Sequence, residues 1–584
     1  MARLVSGNRA GGAATLSADK VTYLTTVASG ALIATLTDPY GGGSTFSVVG
    51  AAPATLALAS GGRIVAGAGA QTADQASTIV IRAAKGQRSV EEPILLTARA
   101  PVVVTPTPTP TPAALDLALY GITDWTPGLT VRRISAGQYD VAESAESMRP
   151  SALGGTLAIV HVNNNTGVGN NANPGTQASP FLSVPSGLAL TTADTIRILV
   201  TPLEPRICWG GRAWPGTIPA GKNIEIEAAD GGELIFAKTQ ATSAPVITAN
   251  GDGTYTLSSG ITSTSTTHAS PLMDFSPATR AANGGQPRPY AHTQGTTAPD
   301  AALRASLTPG QSYRSTAMSG ASDTVFRPFG DRALSTFDGY LIPTCISGMS
   351  LNNQLPANAT AGYTVFSKNV HWVGGTVGGL NLQAGAGLRQ RGIMSGGGIW
   401  AASGGNGFGP IGAQDWYLFN VAVGYHWADA LNTHSNASGD CMARYVGVST
   451  RFTGYSNSGT DNAATGHDGP AGTPTPLGPL GSRDLYVGCT LEGSNGRVLG
   501  YVGSGRATVF GGSIAGSTRT TTFSETVSAS DQARVALVEV GIGASGGAFE
   551  LNAAAPAMLR CFGMTQGATR ISGDVTFQAL PIAG

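Results

Sequence analysis

Residues 170–200 read NNANPGTQASPFLSVPSGLALTTADTIRILV. An asparagine-rich turn leads into NPGT and then SPF, and the stretch ends on the β-branched run TIRILV. Asn, Gly and Pro favour tight turns over packed elements, so the turn itself buries very little. We therefore expect it to shape the start of a long structure whose first apolar strand follows it.

Strand-like runs bounded by glycine or asparagine turns recur through the rest of the chain. Most of their landmark residues lie 21 to 28 residues apart, and a longer gap separates Tyr445 from Tyr486. These landmarks are Trp372, Ile393, Phe419, Tyr445, Tyr486, Thr508, Val535 and Leu559. A period of 20–30 residues without helical periodicity predicts a parallel β-helix, in which no coil can bury its inward face alone.

The opening stretch resembles the start of pectate-lyase-like right-handed β-helix proteins. The matching residues are Asn173, Pro174, Gly175, Thr176, Pro180, Phe181, Asp194, Thr195 and Ile196, with Asn171 where that family commonly has an acidic residue or asparagine. The resemblance implies that the polar turn closes the end of the stack and that Phe181 fills the open hydrophobic coil. Exposed coil ends behave as edge strands, so a cap is required.

The predicted fold class is all-β, a right-handed parallel β-helix preceded by a small antiparallel β-sandwich. We assign 1–100 to the sandwich, 101–114 to a Pro/Thr-rich linker and 115–154 to a connecting segment. The β-helix then spans 155–584, with irregular insertions near 240–345 and 454–482. The short alternating runs in 1–100 resemble a cadherin-like or immunoglobulin-like module, without the acidic calcium-ligating motifs of true cadherins. The linker PVVVTPTPTPTP is a stiff extended spacer, because proline fixes φ.

Composition excludes several classes of protein. Lys plus Arg and Asp plus Glu number 34 each, so no basic excess supports nucleic-acid binding. The chain shows neither a secretory signal peptide nor an apolar run long enough for a transmembrane helix, so we expect no membrane insertion. The cysteines are far apart and predict neither a disulfide framework nor a zinc site, which favours synthesis in a reducing cytoplasm. They are Cys208, Cys345, Cys441, Cys489 and Cys561.

The densest polar stretches suggest a site for carbohydrate chemistry. The candidate catalytic residues are Asp429, His434, Asp440, Asp461, His467 and Asp468. Residues one coil apart stack about 4.8 Å apart on a β-helix, so the two loops that carry them could converge on one face. A hydrolase would use two of the carboxylates, whereas a lyase would use His434 or His467 as its base. Saccharide or metal binding stays open, as does a structural role in which Asp caps turns and His fills an ordered loop.

A second stretch, ICWGGRAWPG, combines aromatic and basic side chains. Arg206, Trp209, Arg212 and Trp214 could contact a saccharide, since aromatic rings stack on sugar faces and arginine pairs with uronates. Alternatively, the tryptophans cover the cap end of the stack. We predict no metal site and no cofactor, with a divalent cation left open.

A small sandwich, a proline spacer and a capped β-helix together resemble a bacteriophage tailspike or tail-fibre-type protein. The resemblance implies a virion location after synthesis in the host cytoplasm, recognition or depolymerisation of host surface polysaccharide, contacts with other virion structural proteins, and a homotrimer. One alternative is a secreted bacterial polysaccharide lyase or hydrolase. The other is a non-catalytic structural protein, either a virion collar or neck component or an adhesin.

Overall fold

The computed structural model divides the chain into two compact units, Met1–Thr111 and Pro112–Gly584, which are considered separately. The structure describes residues 16–18, 22–24, 29–68, 76–99, 112–123, 125–187, 193–202, 207–209, 221–237, 246–258, 262–263, 272–289, 301–309, 312–314, 320–321, 324–328, 341–343, 362–374, 377–378, 389–400, 406–426, 429–435, 439–451, 464–468, 481–492, 497–515, 527–529, 532–543, 550–565 and 570–581.

The first unit is a β-sandwich made of two four-stranded sheets within its described residues. One sheet contains Ser17–Ala18, Leu32–Thr37, Arg63–Ala66 and Leu56–Ala59, and the other contains Thr22–Leu24, Arg88–Arg99, Ala76–Lys85 and Thr45–Val48. Alternate residues of the long hairpin, such as Ile79, Ile81 and Leu96, pack against Ile33 and Ile64 of the facing sheet. The period-2 pattern of these runs thus buries one face of each sheet.

The second unit contains a parallel β-helix with three sheets in the described part of the chain. The long sheet consists of Leu157–Asn163, Thr195–Thr201, Asn223–Ala228, Tyr363–Lys368, Gln390–Ser395, Gln414–Phe419, Cys441–Val446, Arg483–Val487, Arg506–Phe510, Arg534–Val538, Met558–Phe562 and Val575–Gln578. The second sheet consists of Ile207–Trp209, Leu234–Ala237, Val370–Val373, Gly398–Trp400, Ala422–Gly424, Ser449–Arg451, Thr490–Leu491, Ser513–Ile514 and Gly541–Ile542. The third sheet consists of Leu431–Ser435, Ala464–Asp468, Leu499–Tyr501, Val527–Ala529, Leu551–Ala553 and Ile571–Gly573.

Successive coils stack their inward side chains in register. Trp416, Ala443 and Asp484 follow one another at one inward position of the long sheet, and Tyr445 stacks on Tyr486 at the next. These positions belong to one continuous core that fills the lumen of the stack. The prediction of an all-β chain built on a parallel β-helix is therefore confirmed.

A left-handed residue ends the long-sheet strand in most coils and turns the chain into the second sheet. The residues at this position are Asn369, Gly396, Asn420, Gly447, Gly488, Gly511, Glu539 and Gly563, with φ between 49° and 68°. Each donates its main-chain N–H to a carbonyl of the next coil, as Asn420 does to Val446 at 2.8 Å. Glycine and asparagine dominate because they tolerate positive φ, whereas a side chain such as that of Glu539 is strained there.

Gly512, the residue after the left-handed Gly511, allows a prediction about stability. Gly512 and Gly231 share nearly the same φ, 74° and 73°, but a Cβ on Gly512 would lie 2.1 Å from the Cys489 carbonyl oxygen, whereas Gly231 has open space. We expect Gly512→Ala to lower the free energy of unfolding by about 2–3 kcal/mol and Gly231→Ala by about 1 kcal/mol. Denaturant unfolding of both variants measures the difference. Equal losses would show that backbone strain alone decides the effect.

The quoted opening stretch caps the first coil. Phe181 joins the lumen core and bridges to Val162, and a Cβ on Gly175 would lie 2.3 Å from the Phe181 ring, so glycine is required there. The Asn171 side-chain oxygen accepts bonds from the main-chain N–H groups of Leu182 and Ser183 at 3.1 and 3.0 Å. A short helix, Val184–Gly187, follows. The cap thus has the form that its resemblance implied.

Residues 112–123 and 125–152, called the strap here, lie along the outer face of the long sheet. The strap contains the 3-10 helices Leu117–Tyr120 and Pro150–Ala152, the strands Val131–Ser135 and Gln138–Val141, and the helix Ala145–Met148. Its apolar side chains form a second core with outward residues of the sheet, for example Tyr120 with Phe510 and Phe562. The segment 115–154, which we expected to connect two units, therefore also covers the apolar outer face of the long sheet.

Charged groups hold the strap at several coils. Glu539 accepts two bonds of 2.7 Å from the Arg133 guanidinium and one of 2.6 Å from the Tyr139 hydroxyl. Further along, Arg149 contacts the buried Glu225 at 2.8 Å. The strain of the left-handed Glu539 is thus offset by contacts that fix the strap hairpin.

An insertion at 246–343 interrupts the coils between Ala237 and Tyr363. Its described elements are Val246–Ala249, Tyr255–Ser258, Thr262–Ser263, Leu272–Asp274, Pro277–Ala282, Arg288–Pro289, Ala301–Ser306, Ser312–Arg314, Gly320–Ala321, Thr324–Phe326 and Leu341–Pro343, of which Pro277–Ala282 and Ala301–Ser306 are helices. Phe275 packs edge-on against His371 of the second sheet, whose Nδ1 accepts from Trp400 at 2.9 Å. No described helix is long and apolar enough to cross a membrane.

Candidate functional site

The third sheet aligns the two polar stretches that the sequence singled out. The strands Leu431–Ser435 and Ala464–Asp468 pair in parallel, with His434 opposite His467 and Ser435 opposite Asp468. Neighbouring strands lie about 4.8 Å apart, so the two residues of each pair occupy the same position on adjacent coils. The two stretches thus converge, as their spacing predicted, whereas the catalytic role of their residues stays a prediction.

Asp429 is the first residue of this site along the chain, and two asparagines form hydrogen bonds with it. It is buried, and its Oδ2 accepts a 2.6 Å bond from Asn432 Nδ2. Its main-chain N–H donates to Asn406 Oδ1 at 3.3 Å. His434, five residues later, is half-buried on the strand Leu431–Ser435. These contacts fix the turn that leads into the third sheet and present His434 on an ordered strand.

Asp440 lies where the third sheet returns to the long sheet. Its main-chain carbonyl accepts a 2.9 Å bond from Arg389 Nη2, which also donates to the Gln414 carbonyl at 3.0 Å. Arg389 thus ties three consecutive coils together at this corner.

Other predicted site residues fall partly or wholly outside the described residues. Asp461, Arg206, Arg212 and Trp214 lie outside them. Trp209 ends the strand Ile207–Trp209 of the second sheet, opposite Ala237. Only the main chain is described for Trp209, His467 and Asp468. The saccharide-binding role of this aromatic and basic stretch therefore stays a prediction.

A buried carboxylate in the lumen was not predicted. Asp484 is 1% exposed, and its Oδ2 accepts a 2.6 Å bond from the Thr433 hydroxyl and a second bond from the Tyr501 hydroxyl. The Tyr501 and Tyr486 hydroxyls lie 2.9 Å apart. Gly466 occupies the register position between Thr433 and Tyr501, so no side chain separates them there.

Burial raises the pKa of Asp484 to about 7, although the hydrogen bonds from Thr433 and Tyr501 act to lower it. Desolvation disfavours the charged form, and here it outweighs two donors. Strongly shifted carboxyl groups are markers of functional sites, yet Asp484 faces the packed lumen beneath the third sheet. Asp484 is therefore a buried lumen residue that contacts the inner face of the third sheet through Thr433 and Tyr501.

A sequence signal for Asp484 did exist. In the run RDLYV, the period-2 pattern of a strand places Asp484 on the same face as Tyr486, which faces inward in its coil. A charged residue at the inward phase of a coil is the unusual feature that would have singled it out.

The described residues contain no group of three or more His, Cys, Asp or Glu side chains placed to hold a metal ion. Cys441, Cys489 and Cys561 are buried free thiols, and burial raises the pKa of Cys489 and of Cys561 to about 12. These thiols are small core residues of the stack.

Comparisons with protein-family models, with curated proteins and with solved structures found no match to this chain.

Proposed function

We propose that this protein is an external appendage of a bacteriophage that recognises host surface polysaccharide along its β-helix. The observation that carries the proposal is the register of His434 with His467, which joins two separate polar stretches into one ladder on the third sheet. Imidazoles donate and accept hydrogen bonds, which suits histidine to the hydroxyl groups of a glycan.

The organisation of the chain supports the same function. A stack of parallel coils is a rigid scaffold, and its turns present loops at fixed heights. In this proposal the sandwich unit attaches the protein to other virion proteins. Assembly as a homotrimer belongs to the proposal as well.

The test is binding of surface polysaccharide from candidate hosts by the full chain and by the double variant His434→Ala, His467→Ala. We expect the variant to bind at least about 10-fold more weakly, a loss of about 1.4 kcal/mol. His161→Ala is the matched control, because His161 also lies on a parallel strand, in the long sheet, and is half-buried. Equal binding by wild type and double variant would refute the proposal.

The same samples decide whether the protein cleaves the glycan. Reducing ends report hydrolysis, and unsaturated uronates report a lyase reaction. Shortening by the wild type but not by Asp468→Ala, His467→Ala would place an active site in this ladder. Binding without shortening would make the protein a receptor-binding appendage.

A further inference from the structure

A cavity of about 420 Å³ lies beside the last coil of the stack. We call it the end cavity. The residues that matter for its chemistry are Val540, Ile542, Leu551, Met564, Thr565 and Phe577. Its volume falls within the roughly 300–1,000 Å³ of sites that hold ligands. None of the residues proposed for polysaccharide contact lines it.

The second sheet ends at this cavity, one coil before the other two sheets. Its last described strand is Gly541–Ile542, whereas the long and third sheets continue to Val575–Gln578 and Ile571–Gly573. The next coil passes this point as residues 564–565, which form no strand. The end cavity therefore lies at an open edge of the second sheet in the described part of the chain.

The hydrogen-bond ladder of the second sheet breaks at the same place. In the preceding step the Gly541 N–H donates to the Gly512 carbonyl of the coil before it at 3.1 Å. At the next step no such bond joins the Thr565 N–H to the Val540 carbonyl, although the structure describes both residues. The edge is thus open in its hydrogen bonds as well as in its strand order.

The main-chain groups at this edge point toward the missing strand. The Gly543 N–H donates back to Ile514 at 2.8 Å, and successive residues of a strand direct their groups to alternate sides. The N–H and C=O of Ile542 therefore face the next coil. The Val540 carbonyl faces the same way, since its counterpart Gly512 accepts from the coil that follows it. Acceptor, donor and acceptor at strand spacing form a template for another chain.

The floor of the end cavity is apolar. Leu551 and Val540 are 1% and 5% exposed and belong to the lumen core. Ile542, Met564 and Phe577 are partly buried and pack against the same core. The cavity thus combines a strand edge with a place for an aliphatic side chain.

The cavity suits an uncharged ligand. Glu539 is the one ionisable group among the described residues that line it. Its carboxylate accepts two bonds of 2.7 Å from Arg133, one of 2.6 Å from the Tyr139 hydroxyl and one of 3.1 Å from the Gly137 N–H. A further charged group would enter the cavity without a partner, which is costly.

The opposite end of the stack shows what such an edge accepts. There the cap runs beside the first strand, so that the Asn163 N–H donates to Phe181 at 2.8 Å and the Phe181 N–H donates to His161 at 2.9 Å. The Phe181 ring joins the lumen core. One extended segment supplies both the main-chain bonds and the apolar side chain.

From these observations we infer that the end cavity binds an extended, uncharged segment of another protein, which adds to the second sheet as its next parallel strand. Two N–H groups of the segment bond the carbonyls of Val540 and Ile542, and its carbonyl accepts from the Ile542 N–H. One aliphatic side chain of the segment packs against Met564 and Phe577. The inference goes beyond polysaccharide recognition and does not depend on it.

The probe is the end-blocked hexapeptide GGSIAG, the sequence of residues 511–516, whose strand pairs with Gly541–Ile542 from the preceding coil. In the chain the N–H groups of Ser513 and Ala515 donate to the coil before them at 2.9 and 2.8 Å, whereas that of Ile514 points the other way. We expect calorimetry to detect binding of this peptide to the full chain. N-methylation of both the serine and the alanine should weaken binding at least about 10-fold, because two hydrogen bonds are lost. N-methylation of the isoleucine is the matched control and should leave the affinity within about 3-fold.

The variant Ile542→Pro locates the site. Proline removes the Ile542 N–H and obstructs the edge, and an edge position whose N–H faces outward tolerates it. Ile159→Pro is the control, because Ile159 is 52% exposed on the edge strand at the other end of the stack. We expect the peptide to bind Ile542→Pro at least about 10-fold more weakly and Ile159→Pro with unchanged affinity. Denaturant unfolding shows whether each variant is folded, and the N-methylated peptides decide alone if Ile542→Pro is not.

Several outcomes would overturn the inference. The wild type could fail to bind the peptide, the two kinds of N-methylation could weaken binding equally, or a folded Ile542→Pro could bind as tightly as the wild type. Competition between maltotriose and the peptide would make the end cavity a sugar site. A dimer of the full chain that Ile542→Pro dissociates in sedimentation would make a second copy the occupant. Loss of glycan binding in His434→Ala, His467→Ala concerns the proposed function alone, since those residues do not line the cavity.

Discussion

Replacing Glu225 by alanine is expected to lower the free energy of unfolding of the β-helix unit by about 3–5 kcal/mol. The Glu225 side chain is fully buried between the long sheet and the strap, where Arg149 and Arg197 bind its Oε2 at 2.8 and 2.7 Å. Its Oε1 accepts from the Ser151 main-chain N–H at 2.7 Å. Removing the carboxylate leaves the Ser151 N–H without its acceptor, and leaves Arg149 and Arg197 in a poorly solvated place with Glu227, at 2.8 and 3.7 Å, as their remaining shared counter-charge.

Denaturant unfolding at pH 7 measures the effect, and Asp574→Ala is the control. Asp574 also pairs with an arginine of the same unit, but both partners are partly exposed, so its loss should be within about 1 kcal/mol. Burial acts to raise the pKa of Glu225, yet the bonds from Ser151, Arg197 and Arg149 lower it overall. The stabilisation is therefore present above the unfolded-state pKa near 4.5 and is lost as the pH falls below it. Similar losses for the two variants would contradict a buried, strap-anchoring role.

The second large predicted effect is a gain in stability. Asp484→Asn is expected to raise the free energy of unfolding at pH 8, by up to about 4 kcal/mol. Burial raises the pKa of Asp484 from 3.8 to about 7, a shift of about three pKa units, and each unit corresponds to about 1.4 kcal/mol. The asparagine oxygen can still accept from Thr433 and Tyr501, while the energetic cost of a buried charge is removed.

The pH dependence follows from the direction of this shift. Between about 4 and 7 the folded state holds a proton that the unfolded state has lost, so stability falls as the pH rises through that window. The asparagine variant should lose this slope, and below pH 4 its stability should approach that of the wild type. Unfolding curves at pH 4, 6 and 8 measure the slope.

Asp194→Asn is the control, because the carboxyl group of Asp194 contributes to stability with the opposite pH dependence. Hydrogen bonds from Thr156 lower the pKa of Asp194, so its contribution is present at neutral pH and is lost in acid. A variant of Asp484 that is less stable than the wild type at pH 8 would mean that the ionised carboxylate stabilises the lumen.

The coil architecture could be predicted because the inward residues repeat. Trp372 and Tyr445, two of the landmarks in the strand-like runs, lie fully buried in the lumen core, whereas the landmarks Ile393 and Phe419 belong to the outer core beneath the strap. The strap could not be predicted in this way, since Tyr120 and Leu129 pack on the outside of the stack and follow no coil period. Its partners, such as Glu539, are several hundred residues away, and no local pattern encodes them.

For the candidate site, the coil spacing predicts the register of its strands but not the contacts across the lumen. The register of His434 with His467 follows from coil spacing, so the convergence of the two stretches could be foreseen. The partners of Asp484 depend on which coils face each other across the lumen, because Thr433 and Tyr501 both lie on the third sheet.

The strap has a consequence for biosynthesis. Arg133 is translated 406 residues before Glu539, the partner that fixes its hairpin, and the surface beneath the strap is made of strands from almost every coil. The apolar strap side chains that pack on late coils, such as Tyr120 on Phe510 and Phe562, therefore stay uncovered until those coils are made, and exposed apolar surface favours aggregation at that stage. A chain truncated before Glu539 therefore lacks the partner of Arg133 and Tyr139, and we expect proteases to cleave its strap hairpin faster than that of the full chain.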